Sequence, residues 1–112
     1  MTADREDAFT LVFVGYADPR STDRAVAFED AVLPILADHG ARLLFRGWRT
    51  NGEDTALPLE VHVIWFPHRE AFASYLADDR RRALVERYGE PFTSEHVVEV
   101  EAIRELAPPG GQ

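Results

Sequence analysis

The sequence of 112 residues contains no cysteine, no lysine and no long apolar run. Without cysteine the chain forms no disulfide and offers no thiolate nucleophile. Without lysine it forms no Schiff base with a carbonyl substrate or with pyridoxal phosphate. No stretch approaches the roughly 20 apolar residues that span a bilayer. Because the acidic N-terminus also lacks the apolar core of a secretory signal, we expect a cytoplasmic protein that does not enter a membrane.

The charge balance argues against nucleic acid as a partner. The net charge is −8, and all 12 basic residues are arginine. An acidic surface repels a phosphate backbone, so we expect no nucleic-acid binding. The run Arg80–Arg82 is the local exception, and it is interpreted either as a solvated helix face or as an anion contact. Hydrophobic residues make up 46% of the chain, which predicts one globular domain over 8–105, with a disordered segment 1–7 and a flexible tail 106–112.

Hydrophobic periodicity predicts six elements. Alternating β-branched and aromatic residues indicate strands at 9–16, 41–49, 59–66 and 95–103. Apolar residues at helical spacing indicate helices from about 22 to 39 and 68 to 88. We expect Pro34 to bend the first helix, and Asp78 or Asp79 to begin a second segment of the other.

The element order βαββαβ predicts an α+β, ferredoxin-like fold, in which two helices cover one face of a four-stranded antiparallel sheet. The first and third strands are apolar on both faces, so a monomer would leave one face wet. We therefore expect a homodimer that packs sheet against sheet, with Trp65 in its core.

The hairpin of the second and third strands carries the chemistry. Since strand side chains alternate between faces, Arg46, Trp48, Glu60 and His62 have the parity to share one. A register in which paired numbers sum to about 108 would set Arg46 opposite His62 and Trp48 opposite Glu60. A histidine held by a carboxylate moves protons near pH 7, and an arginine stabilises a developing oxyanion. The alternative is a rim ion pair between Arg46 and Glu60 beside a structural histidine.

Three segments also resemble a known superfamily: Phe45–Trp48, Val61–Pro67, and a helix ending near Tyr75–Asp79. They resemble the dimeric α/β-barrel superfamily, and most closely an uncharacterised family of roughly hundred-residue proteins. The superfamily includes cofactor-independent monooxygenases, polyketide cyclases, muconolactone isomerases and haem-degrading enzymes. The resemblance implies a ligand cleft between the sheet and the helices of one subunit, which Phe66 would face.

Departures from that pattern suggest a specialised pocket. His62 replaces a plain aliphatic residue, Trp65 a glutamate, and Trp48 a glycine. Further candidate contacts to substrate are Tyr16, Tyr75 and His96, for which packing or a surface position is the alternative. No spacing among the four histidines resembles a zinc site, so no metal and no cofactor are expected.

These observations predict a cofactor-free small-molecule enzyme that cyclises or isomerises a polyketide-like or aromatic substrate. His62 would be the acid/base, Arg46 the oxyanion clamp and Glu60 the orienting carboxylate, with Trp48 and Phe66 as apolar walls. One alternative is a cofactor-independent monooxygenase. The other is a dimer that binds a ligand, or is associated with stress, without turnover.

Overall fold

A computed structural model describes residues 7–50 and 55–101. Apart from Asp7, the predicted N-terminal segment lies outside the described residues, as does the predicted C-terminal tail. The strands are β1 (Phe9–Tyr16), β2 (Arg42–Trp48), β3 (Glu60–Phe66) and β4 (Ser94–Val100). The helices are α1 (Thr22–Val32), the 3₁₀ segment (Leu33–His39), α2 (Arg69–Ala77) and α3 (Asp79–Tyr88).

The four strands form one antiparallel sheet in the order β2-β3-β1-β4. This order and the helices between the strands confirm the predicted ferredoxin-like α+β fold. The inner face of the sheet, which the helices cover, carries the odd-numbered side chains of β1 and the even-numbered ones of β3, because Leu11 pairs with Ile64 and Phe13 with His62.

Both helical regions are interrupted, each for a local reason. The first changes to a 3₁₀ segment at Leu33, where Pro34 lacks the N–H that a continuing α-helix requires, and it ends at Gly40, whose φ is +74°. The second breaks at Asp78, whose backbone is extended and whose side chain accepts a hydrogen bond from the Arg80 N–H at 2.8 Å. The predicted second cap is therefore confirmed at Asp78.

The core lies between the inner face and the helices. Phe9, Leu11, Ile64 and Phe66 of the sheet pack against buried residues of the helical layer. Phe66 is only 1% exposed and stacks on Phe9 with ring centroids 5.5 Å apart. The register explains why these four residues share the covered face: Phe9 pairs with Phe66 and Leu11 with Ile64 across β1 and β3.

The opposite, outer face of the sheet carries apolar side chains with no helix over them. Phe45 is 56% exposed and Val98 51% exposed, and Trp65 lies on the same face, paired with Thr10 and Arg42. An uncovered apolar sheet favours a partner surface, so the sheet-to-sheet homodimer stays a prediction. No helix within residues 7–50 and 55–101 has the length and apolar character to cross a bilayer.

We predict that Val98→Glu converts a dimer into a monomer, because the new carboxylate would be buried at the interface between the two sheets. Sedimentation velocity measures the mass directly. Ala83→Glu, which adds the same charge on the exposed side of α3, should leave the dimer intact. A wild-type chain that sediments as a monomer would rule out the proposed interface.

Candidate active site

A cleft of about 460 Å³ opens between the inner face and the helices. Most of its wall is apolar and aromatic, including Phe13, Phe28, Phe66 and Phe72. Its polar residues are Glu29, His62, Tyr75, Arg81 and Glu95. The cleft thus combines the size of a small-molecule site with a few converging polar groups.

The hairpin adopts the register considered above, which the sequence alone left open. Arg46 pairs with His62 and Trp48 with Glu60, so both sums equal 108. A register shift lies between Leu43 and Phe45, which is an extra residue in β2 of the kind that defines a β-bulge. Arg46 pairs with His62 beyond this bulge, so the Arg46 guanidinium and the His62 imidazole lie on the same inner face.

Four side chains form a continuous chain of hydrogen bonds behind the cleft. Arg46 donates from Nε to Glu60 Oε1 at 2.9 Å and from Nη2 to Glu60 Oε2 at 3.2 Å. Its Nη1 donates to Asp30 at 2.7 Å. The His62 Nε2 lies 2.7 Å from Glu60 Oε1. Glu60 is fully buried, and the bidentate arginine is the partner that makes a charge tolerable there.

The ionisation of Glu60 fixes the tautomer of His62. Burial raises the pKa of Glu60, but hydrogen bonds from His62 and Arg46 outweigh it and lower that pKa below its usual value. An ionised carboxylate only accepts hydrogen bonds. The proton of a neutral His62 therefore sits on Nε2, which leaves Nδ1 as an acceptor. The ring is held by stacking on Phe13, with centroids 4.9 Å apart.

Glu29 faces that acceptor. Its Oε2 lies 3.5 Å from His62 Nδ1. Burial, followed by repulsion from Glu60, raises the pKa of Glu29 to about 8, so most of it is protonated at pH 7. A separation of 3.5 Å is too long for a strong hydrogen bond. Glu29 therefore offers a proton and His62 Nδ1 a lone pair on the same side of the cleft, as an acid/base pair requires.

The sequence prediction missed Glu29, although a signal was present. Glu29 lies four residues after Ala25 and three before Val32 on the buried stripe of α1. A glutamate on such a stripe is seldom buried without a partner or a function. The pattern marked the helix face as core and passed over the one ionisable residue in it.

Four of the predicted site residues lie in the cleft wall or directly behind it. His62 and Phe66 line the cleft, as does Tyr75. Glu60 contacts His62 from behind and does not line the cleft. The positions of His62, Phe66 and Tyr75 agree with the expected cleft, whereas Glu60 lies behind His62 and not in the wall; the roles of all four stay predictions.

Two other predictions are wrong in their geometry. Arg46 was expected to clamp an oxyanion, but its guanidinium forms hydrogen bonds with Glu60 and Asp30. Arg46 borders a separate groove instead of the cleft. Trp48 was expected as a wall of the pocket, but its side chain is 55% exposed. The Arg46 guanidinium lies over the Trp48 ring, with Arg46 Cζ 5.1 Å from the ring centroid.

Tyr16 and His96 are also misplaced as contacts to a substrate in the cleft. Because Val14 pairs with His96 and Tyr16 with Ser94, both side chains belong to the outer face. Their rings contact each other there, with centroids 6.1 Å apart. Even-numbered residues of β1 and β4 point away from the helices, while even-numbered residues of β3 point toward them.

The arginine run divides between the two predicted interpretations. Arg80 pairs with Asp78 and Asp38 at 2.8 Å each, and Arg82 is exposed. Arg81 instead lines the cleft. The expected solvated helix face is thus correct for two of the three residues, and Arg81 turns inward.

Within the described part of the chain, Glu29, Glu60 and His62 form a group that could hold a metal. One ligand atom from each lies within 4.8 Å of the others. A cation there would stand beside the Arg46 guanidinium, which already engages both oxygens of Glu60. That competing positive charge makes the set better suited to holding a proton than a divalent ion. The expectation of no metal stays a prediction.

Comparison with known proteins confirms the fold and leaves the activity open. No protein-family model and no curated protein matches the chain. Among solved structures, it is similar to an antibiotic biosynthesis monooxygenase-like protein from Bacteroides thetaiotaomicron, with 8% identity and a TM-score of 0.71 over 93% of this chain and 97% of that one.

Two further structures are similar. SnoaB, a cofactor-independent oxygenase from Streptomyces nogalater, shares 14% identity with a TM-score of 0.63, over 91% of this chain and 99% of its own. A dimeric ferredoxin-like protein of unknown function from Thermobifida fusca shares 9% identity with a TM-score of 0.61, over 85% and 91%. At such identities the likeness confirms the ferredoxin-like resemblance at the level of fold.

Glu29→Gln should change how stability depends on pH. The folded chain holds the Glu29 proton up to about pH 8, while the unfolded chain loses it near 4.5. The folded state therefore binds more protons in this window, and the free energy of unfolding falls as pH rises. We expect a loss on the order of 2–4 kcal/mol between pH 5 and 8 that the variant lacks.

Urea unfolding at fixed protein concentration measures this difference. Glu86→Gln, on the exposed side of α3, should reproduce the wild-type pH dependence. Parallel curves for wild type and Glu29→Gln would show that Glu29 titrates normally.

Arg46→Met should destabilise the fold strongly because it leaves the buried Glu60 charge without its bidentate partner. We expect a loss of about 3 kcal/mol in the free energy of unfolding. The double variant Arg46→Met, Glu60→Gln should recover part of it, since the orphan charge is gone.

The control is Arg69→Met, which breaks the exposed pair with Glu99 and should leave the urea midpoint close to that of wild type. Equal losses for Arg46→Met and Arg69→Met would contradict the account of the buried pair.

Proposed function

We propose that this chain is a small-molecule enzyme in which Glu29 and His62 move a proton on a bound substrate. The observation that supports it most is the hydrogen-bonded chain of Asp30, Arg46, Glu60 and His62, whose imidazole lies beside Glu29 in the wall of an apolar cleft. Burial raises the pKa of Glu29 to about 8. His62 is held by Glu60 at Nε2, while its Nδ1 lies 3.5 Å from Glu29 Oε2, beyond the range of a strong hydrogen bond.

The chemistry follows from the hydrogen bonds. His62 Nδ1 takes a proton from an activated C–H or O–H of the substrate, and Glu60 stabilises the imidazolium that forms. The protonated Glu29 donates to a substrate oxygen as negative charge develops there. Enolisation of this kind supports cyclisation or isomerisation of a polyketide-like or aromatic molecule. The mechanism uses no metal and no cofactor.

A second candidate is cofactor-independent oxygenation. It is favoured by the similar structures described as an antibiotic biosynthesis monooxygenase-like protein and a cofactor-independent oxygenase. The first step is the same proton abstraction. The resulting carbanion then reacts with dioxygen, so that a substrate CH₂ becomes a carbonyl and water leaves. The third candidate, a dimer that binds a ligand without turnover, would bind that ligand in the cleft without any proton transfer.

The assembly that we propose is a homodimer in the cytoplasm. The uncovered outer face and the similar structure of a dimeric ferredoxin-like protein from Thermobifida fusca support the dimer. A small molecule is the partner that the cleft volume fits, and the net charge of −8 disfavours nucleic acid.

The test uses 1,8-dihydroxyanthrone, a tricyclic aromatic with an acidic CH₂. Without oxygen, in D₂O, the wild-type protein should speed the exchange of that CH₂, and His62→Gln should slow it by about 100-fold because Nδ1 is lost as base. Mass spectrometry counts the deuterium. His96→Gln, on the outer face, is the control and should exchange like wild type. Equal rates for His62→Gln and wild type would remove the assignment.

The same probe separates the three candidates. Oxygen uptake in step with the anthraquinone product indicates oxygenation. Exchange without oxygen uptake indicates enolisation as the enzyme's own step. Binding with an exchange rate equal to that in buffer indicates a protein without turnover.

A further inference from the structure

Arg81 stands in the cleft with a donor that nothing in the described chain satisfies. Among the described residues of the cleft wall, it is the one arginine. Its Nε is buried and has no hydrogen-bond partner within residues 7–50 and 55–101. The guanidinium lies over the ring of Tyr75, 5.2 Å from the centroid. A buried donor left unpaired is costly, and native structures keep few of them.

The neighbouring Arg80, unlike Arg81, has carboxylate partners. Arg80 is one residue away and bonds two carboxylates, Asp38 and Asp78. Acidic partners are therefore at hand on this side of the molecule. Arg81 instead lines the apolar cleft, and its guanidinium contacts Tyr75, to which it gives a side-chain hydrogen bond.

The charges around the cleft leave room for a ligand anion beside Arg81. Glu95 is exposed, and His62 is engaged by Glu60. Glu29, the remaining carboxyl in the wall, is mostly protonated at pH 7 because burial and Glu60 raise its pKa to about 8. An anion in the cleft thus meets a cation and a neutral acid. The rest of the wall suits an aromatic or aliphatic body.

We propose that Arg81 binds an anionic oxygen, a carboxylate or an enolate, at one end of an apolar ligand in the cleft. The planar guanidinium fork matches two oxygens of a carboxylate or one oxygen of an enolate. This proposal deepens the proposed function by naming the substrate class. It also gives Arg81 the part of oxyanion partner that Arg46, tied to Glu60, does not play.

The experiment compares 2-naphthoate with 2-naphthamide, which share shape and differ in charge. By titration calorimetry at pH 7, wild type should bind naphthoate at least about tenfold more tightly than naphthamide. Arg81→Gln should lower the naphthoate affinity to that of the amide and leave the amide affinity unchanged. Arg82→Gln, one residue away and exposed, is the matched control and should retain the preference.

A second readout needs no stable Gln variant. The Nε–H proton resonance of Arg81, assigned by its loss in Arg81→Lys, should shift on titration of wild type with naphthoate and not with naphthamide. Equal binding of the two probes, binding of neither, or a preference that survives Arg81→Gln would each overturn the proposal.

The outcome is separable from that of the proposed function, because equilibrium binding requires no proton transfer. A naphthoate preference without anthrone exchange would make the cleft a receptor for apolar acids. Anthrone exchange without the preference would remove Arg81 alone from the account.

Discussion

The hydrogen bond from His62 to Glu60 is the constraint on which the rest of the site depends. Glu60 is fully buried and keeps its charge because Arg46 grips both oxygens. That charge holds the proton of His62 on Nε2, so Nδ1 turns to Glu29 and the cleft. Desolvation then acts on Glu29, the second carboxyl of the cluster, and raises its pKa to about 8. Two glutamates of one buried cluster are thereby pushed toward opposite protonation states.

Most of the fold could be predicted because its signals are local or periodic. The alternation in Phe9–Tyr16 and Glu60–Phe66, together with the element order, specified the ferredoxin-like sheet. The break at Asp78 followed from capping chemistry. The 3₁₀ segment that begins at Leu33 replaces the expected bent helix. The sequence shows that Pro34 lacks a backbone donor, but how the helix adjusts to that loss depends on packing.

The candidate site was predictable only where strand parity decides it. Parity and register placed His62 opposite Arg46. Parity within a strand does not say which face the helices cover, and Tyr16 and His96 were assigned to the wrong one. The sequence also could not show which groups Arg46 would bind. In the structure its guanidinium binds the carboxylates of Glu60 and Asp30 and does not line the cleft. Glu29 comes from a helix, where a single charge on a buried stripe is easily counted as an exception. Arg81 stands in a run of three arginines, and the sequence did not show which of the three lines the cleft.

The central claim is that Glu29 holds a proton beside His62 Nδ1 in the resting protein at neutral pH. Carbon-13 NMR of the glutamate carboxyls, with Glu29 assigned by its loss in Glu29→Gln, follows that proton directly across a pH titration. We predict a carboxylic acid signal at pH 7 that converts to carboxylate near pH 8. A Glu29 signal that is already carboxylate at pH 6 would contradict the account.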